Sequence, residues 1–303
     1  MNLAPIILFV YNRPQHTLKT LEALNKNYLA NESELYIFAD GPRPNADENE
    51  LQKIKDTREI VNSKEWCKRT IIIESEINKG LANSIIDGVS KIVNEQGKVI
   101  VLEDDLVTSP YFLQYMNDAL NIYSDNDAVA CISGYIYPLK HELPGTFFLK
   151  GADCWGWATW KRAWGVFEKD GSKLLNELNN QSATKKFDFD HCYPYTQMLK
   201  DQIAGKNDSW AIRWYASAFL RNMFCLYPGT SVVQNIGFDG SGTHSSNSDK
   251  WNVKISEKVI EVKKISVMQN NAAYDLFKSY FNTLKPSLLY RIKKIIKKRL
   301  NRY

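Results

Sequence analysis

The sequence predicts an α/β domain with a mostly parallel sheet flanked by helices, and three observations carry that prediction. Short apolar runs of β-forming residues alternate with stretches of helical period over about the first hundred residues. The connections between these runs are long enough for the crossover helices that parallel strands require. The fourth run, Val99 to Leu102, leads straight into Glu103, Asp104 and Asp105, and an open parallel sheet places its ligand crevice beyond the carboxyl ends of its strands.

Taken in order, Ile6 to Val10 reads as a buried strand closed by Tyr11-Asn12-Arg13-Pro14, and Leu18, Leu21 and Leu24 then recur at helical spacing. Leu35 to Ala39 is a second strand ending at Asp40-Gly41-Pro42, followed by a polar helix from about Ala46 to Ser63. Thr70 to Ile73 is a third strand; Asn78-Lys79-Gly80 opens a helix through Leu81, Ile85, Ile86, Val89 and Val93. After the fourth strand and its acids, a helix is expected beyond Ser109-Pro110. Ala211 to Phe224 has one apolar helical face, and Cys225 to Tyr227 and Ser231 to Val233 read as short strands. The expected organisation is one domain over 1–250, divided into 1–135 and 136–250, then an extension over 251–285 and a basic tail over 286–303.

Composition narrows the function classes. The chain of 303 residues is 44% hydrophobic, enough for a sizeable core. It contains no apolar run of 18 residues, and Pro5 to Val10 is short and has no basic leader, so neither a membrane span nor a signal peptide is expected and the predicted location is cytoplasmic. Cys67, Cys131, Cys154, Cys192 and Cys225 are scattered without a Cys-x-x-Cys pair, which fits reduced core thiols rather than a zinc site. Of the formal charge of +5, residues 286–303 contribute seven basic residues and no acid, so the remainder sums to 5 − 7 = −2. No nucleic-acid footprint is expected on such a body.

Neither Gly-x-Gly-x-x-Gly nor Gly-x-x-x-x-Gly-Lys-Ser/Thr occurs, so backbone amides of those loops are not available to hold phosphate. A hard divalent cation, Mn2+ or Mg2+, on the Glu103 to Asp105 corner would do so instead, because such ions take oxygen ligands and share them with substrate phosphates. The alternative reading of three adjacent acids is an acidic loop cap.

The Asn12-Arg13-Pro14 strand end, Asp40, the run Val-x-x-Glu-Asp-Asp-Leu-x-x-Ser-Pro-x-Phe and the later Trp-Gly-Trp together resemble the GT-A glycosyltransferases. Bacterial family 2 sugar transferases are similar, as is the fold of N-acetylglucosaminyltransferase I. The resemblance covers about Ala4 to His244. It implies that Asp105 binds the metal, Asp104 contacts the ribose, Glu103 touches the donor sugar, and Arg13 and Asp40 meet the nucleotide base. It also implies a nucleoside-diphosphate sugar donor, a UDP-sugar above all, and a hexosyl or N-acetylhexosaminyl transfer.

Four tryptophans, Trp155, Trp157, Trp160 and Trp164, fall within ten positions. Such a cluster suits either a core or a sugar platform. In the similar family this segment is a Gly-Trp loop beside the donor sugar, which maps to Trp155, Gly156 and Trp157, with Gly156 allowing close backbone approach. Asp208, in Asn207-Asp208-Ser209-Trp210, is a natural helix N-cap. It also matches the family's Asp ahead of a Trp that serves as general base in an inverting transfer; Asp153 and Asp188 are the alternates.

The loop Gly237 to Ser246 reads as a lid over the site, from which His244 could reach a diphosphate or the metal. In the tail, Leu288, Leu289, Ile292, Ile295, Ile296 and Leu300 share a helical face amid the basic residues, as an in-plane anchor on an anionic membrane would. The combined expectation is an inverting, metal-dependent glycosyltransferase at the inner face of the cell membrane. Its acceptor would be a saccharide or a lipid-linked sugar of surface polysaccharide synthesis. The rivals are a sugar nucleotidyltransferase and a non-catalytic carbohydrate-binding protein.

Overall fold

The computed structural model describes residues 3–240 and 248–285. Its first half is strictly alternating: β1 (Ile6–Val10), α1 (Pro14–Asn25), β2 (Glu34–Ala39), α2 (Glu48–Val61), β3 (Arg69–Glu74), α3 (Leu81–Gln96) and β4 (Lys98–Glu103). These strands pair in parallel, β2 with β3, β1 with β2, and β1 with β4. All five residues of β1 are buried, as are Val99 to Leu102 of β4, because helices cover both faces and leave no alternation of polar and apolar side chains.

The second half completes the same sheet. It comprises β5 (Leu106–Thr108), α4 (Phe112–Ile122), β6 (Val129–Ser133), β7 (Thr146–Lys150), β8 (Trp157–Trp160) and short α5 (Lys161–Trp164). Then come α6 (Gly171–Asn180), α7 (Thr184–Phe187), α8 (Tyr195–Ile203), α9 (Trp210–Leu220), β9 (Phe224–Pro228), β10 (Val233–Asn235) and α10 (Asn271–Leu284). The eight-stranded order is β3-β2-β1-β4-β8-β6-β9-β7. Strand β8 runs antiparallel to both β4 and β6, and β7 antiparallel to β9, while β6 and β9 are parallel. The sheet is therefore mostly parallel, and β4 lies inside it with its acidic end at the crevice edge.

Two departures from the sequence-based expectation matter for the site. The helix expected over Ala211 to Phe224 stops at Leu220, and the strand expected at Ser231 to Val233 is β10, two residues further on. A small separate sheet of β5 against β10 was not anticipated. It brings the chain after Asn235 back across the acidic corner, since β5 directly follows Asp105. The segment expected as an extension, 251–285, packs into the second half through α10, whose Phe277 meets Phe147, Tyr227 and Tyr137.

Candidate active site

Three elements hold the acidic corner in place. Thr20 on α1 donates to the Asp104 carbonyl oxygen at 2.8 Å, and the Ile236 amide donates to that of Asp105 at 2.9 Å. Gly237 lies so close that a Cβ there would sit 2.0 Å from Asp105 Oδ2, so only glycine leaves room for that carboxylate. Arg13, following β1, places Nη1 2.9 Å from Asp105 Oδ2 and 3.7 Å from Asp104 Oδ1.

That guanidinium does not neutralise the corner. Burial first, and then the neighbouring carboxylates, push the Glu103 carboxyl well above its ordinary range. Asp104 is pushed up to about 8 by burial and by Asp105, with Arg13 opposing both. A half-buried, crowded set of carboxylates favours a cation among them. Oxygen donors with surplus negative charge fit Mn2+ or Mg2+. Among the described residues no three metal-binding side chains converge as a ready cage. Substrate phosphates and water would then complete the coordination, as is usual for Mg2+.

Beside the corner, Asp40 closes β2 and accepts from the amides of Gly41 (2.9 Å), Lys79 (2.9 Å) and Gly80 (3.0 Å). It thereby ties the loop after β2 to the start of α3 and shapes the wall of the crevice. Tyr11 donates to Glu50, and burial together with that carboxylate lifts its phenol to about 12. Arg43 lies over the Tyr11 ring at 5.9 Å.

The tryptophan segment divides. Gly156 has φ +59°, so the i, i+2 rule of a strand fails across it and its neighbours part company. Trp155 stays partly exposed at the crevice, 4.6 Å from Tyr135 and 5.5 Å from Phe238 between ring centroids. Trp157 is 1% exposed, stacked on Trp210 at 5.4 Å and packed against Trp164 and Trp214. The donor-side role expected for Trp157 is thus not what its side chain is placed for; it is core. The close approach at Gly156 is to the protein itself, since a Cβ would lie 2.6 Å from Val233.

Asp208 is not the helix cap expected of it. Ser209 caps α9 by accepting from the Ile212 amide, whereas Asp208 is 66% exposed and pairs with Arg213 at 3.3 Å. No contact among the described residues joins it to the acidic corner. Its segment adjoins the tryptophans through the Trp210 stack on Trp157. Of the alternates, Asp188 accepts from the Thr196 amide at 2.6 Å at the start of α8. Asp153 lies deep in the second half, where burial raises its carboxyl to about 6 while the Cys154 amide and the Tyr227 phenol pull the other way. Burial first, and then the charges of Asp153 and Glu103, push the Cys154 thiol well above its ordinary range.

One further group has no local sequence signal: His16 Nε2 lies 3.1 Å from Asp239 Oδ2, and Asp239 Oδ1 lies 3.7 Å from Arg13. Residues more than two hundred positions apart meet there, and no local pattern announces such a pair. His244 and the 286–303 tail lie outside the described residues.

No curated protein matches the chain. The structure of S. aureus TarS aligns over 49% of this chain and 24% of its own length, at 16% identity and a TM-score of 0.30. S. aureus TarS 1–349 aligns over 58% and 49%, at 13% identity and 0.32. UDP-glucose pyrophosphorylase complexed with UDP-glucose aligns over 75% and 90%, at 13% identity and 0.37. The chain thus spans half or less of the TarS structures. The profile of Glycosyl transferase family 2 matches residues 6–187, which contain the parallel half of the sheet, the acidic corner and the tryptophan segment, and the chain belongs to that family of glycosyltransferases.

Proposed function

We propose that the chain is an inverting, divalent-cation-dependent transferase. It would move a hexosyl or N-acetylhexosaminyl group from a nucleoside-diphosphate sugar, a UDP-sugar above all, to a hydroxyl of a saccharide or lipid-linked acceptor in surface polysaccharide synthesis. The observation that carries this reading is the acidic corner at the end of β4, three adjacent carboxylates with Arg13 2.9 Å from Asp105, where burial and the neighbouring acids push Glu103 and Asp104 above their usual range. Asp105 would hold Mn2+ or Mg2+, with Asp104 at the ribose and Glu103 at the donor sugar, and the ion when bound offsets the diphosphate's charge as it departs. Arg13 and Asp40 line the nucleotide side of the crevice, and Trp155 its sugar side. Asp208 takes the acceptor hydroxyl's proton as that oxygen attacks the anomeric carbon from the face opposite the diphosphate.

Thermal shift with a set of nucleoside-diphosphate sugars tests this. A UDP-sugar should raise the melting temperature only when Mn2+ is present, and Asp105→Ala should lose the shift while melting as the wild type does without ligand. Turnover should release a nucleoside diphosphate. Release of pyrophosphate would instead make the protein a nucleotidyltransferase, and a shift independent of metal would remove the role given to Asp105.

A further inference from the structure

The segment after β10 lays a fourth carboxylate beside the acidic corner. The Ile236 amide donates to the Asp105 carbonyl oxygen at 2.9 Å, and Gly237 abuts the Asp105 side chain. Phe238 packs on Trp155 at 5.5 Å and on Trp251 at 5.7 Å between ring centroids, and its carbonyl oxygen accepts from the Ser248 amide at 3.0 Å. These contacts fix the backbone as far as Phe238 and deliver the Asp239 side chain to the start of α1. There His16 Nε2–H donates to Asp239 Oδ2 at 3.1 Å, and Arg13 Nη2 lies 3.7 Å from Asp239 Oδ1.

Arg13 thus divides its guanidinium between two acids, with Nη1 facing Asp105 at 2.9 Å and Nη2 facing Asp239. The side chains of Arg13 and His16 are 15% and 12% exposed, whereas that of Asp239 is 48% exposed. The two donors are therefore built into the wall, while the acid is half in solvent and its approach to Arg13 is longer than a hydrogen bond. The first turn of α1 carries no acid and no side-chain cap, so the free amides at that helix end favour an anion as well.

The guanidinium that meets Asp239 is the one that meets Asp105, so an anion drawn to a cation on Asp105 arrives beside Arg13. Two anions at one guanidinium disfavour each other. We propose that Asp239 is a self-inhibitory counter-ion: its carboxylate holds the place beside Arg13 and His16 that the donor's diphosphate takes, and turns into solvent when the donor binds. Only the side chain has to move, because the backbone is tied at Ile236 and Phe238. The assignment carries a sign. Removing this acid tightens nucleotide binding, whereas removing an acid that holds metal or substrate weakens it. Giving the diphosphate to a sugar donor rests on the glycosyl-transfer reading; the self-occupied anion site does not.

The test is calorimetry on the full chain and its Asp239→Asn variant, with two probes: UDP in the presence of Mn2+, and inorganic pyrophosphate without metal. Asp239→Asn should bind UDP–Mn2+ about 3- to 10-fold more tightly than the wild type, the size of one contact no longer broken on binding, and pyrophosphate should gain in the same direction. Adding His16→Ala to Asp239→Asn should abolish the gain. A folded Asp239→Asn protein that binds neither probe more tightly than the wild type overturns the proposal. A gain that survives His16→Ala also overturns it, since the effect would then be general loss of negative charge rather than release of this site. A gain for pyrophosphate with no UDP–Mn2+ response in either protein would keep the masked anion site and sink the transferase reading instead.

Discussion

Trp155 and Trp157 stand two positions apart, and one glycine decides that the first lines a crevice and the second fills a core. The sequence shows both indoles and the glycine, but not that φ at Gly156 is positive, so it cannot say which tryptophan is which. The Glu103 to Asp105 corner is the opposite case, legible because acids directly after a fully apolar strand have few places to go but a crevice edge. Asp208 falls between these. Its role can be separated from its packing, because Arg213 is also held by the carbonyl oxygens of Ser209 (3.1 Å) and Lys169 (3.3 Å). Asp208→Asn should therefore melt close to the wild type, since an ion pair of an exposed carboxylate contributes about 1 kcal/mol or less. As the base, Asp208 should lose about 10²- to 10⁴-fold in turnover on that change with donor affinity kept. Steady-state rates within a few-fold of the wild type would return it to a surface role.

At the level of elements, the parallel half was readable because each strand is apolar on both faces and each helix amphipathic, so the period changes at every boundary. The second half was not, because β5 and β10 are three residues long and β8 enters the sheet from a segment whose tryptophans suit a loop equally well. Between α7 and α8 the backbone makes a turn that sequence gives no hint of: Phe189, Asp190 and His191 have φ of 48°, 54° and 66°. Such left-handed non-glycine residues persist when their surroundings hold them. Asp190 is the fastening, 2.9 Å from Lys186 and 3.0 Å from Lys278 of α10, and Lys186 first, then Lys278, hold its carboxyl down at about 2. A depressed folded-state value stabilises the fold above the unfolded-chain value of about 4 and ceases to do so as pH falls toward 2. Asp190→Asn, which keeps a residue tolerant of the left-handed region, should lower the melting temperature at pH 7. The gap to the wild type should narrow between pH 5 and pH 3, whereas a gap constant over that range would show that the ion pairs contribute nothing to holding α10.

Across the whole molecule the two halves share one sheet, and the proposed chemistry draws on both: the acids come from the last parallel strand of the first half, and Trp155 and Asp208 from the second. The alternation of the first half and the acidic corner point to such a protein from sequence alone, whereas the second half is assembled from contacts such as Tyr137 with Tyr280 and Trp155 with Phe238 across about a hundred residues, which no local pattern announces. No helix among the described residues is long and apolar enough to cross a membrane, and the contact proposed with a lipid-linked acceptor is one made at the membrane surface. Charge separates the candidates for that contact. Without residues 286–303 the chain sums to 5 − 7 = −2 and should be repelled by anionic lipid, whereas those residues carry seven basic side chains with Leu and Ile interleaved at helical spacing. Each basic residue near an anionic surface contributes about 1 kcal/mol before screening, so binding should be reversible and should weaken as salt rises. Deleting 286–303 should move the protein from sedimented phosphatidylserine vesicles into the supernatant and leave the UDP–Mn2+ thermal shift unchanged, since every proposed donor contact lies elsewhere in the chain. Equal sedimentation of the full and shortened chains would place the apolar stripe against the protein's own body.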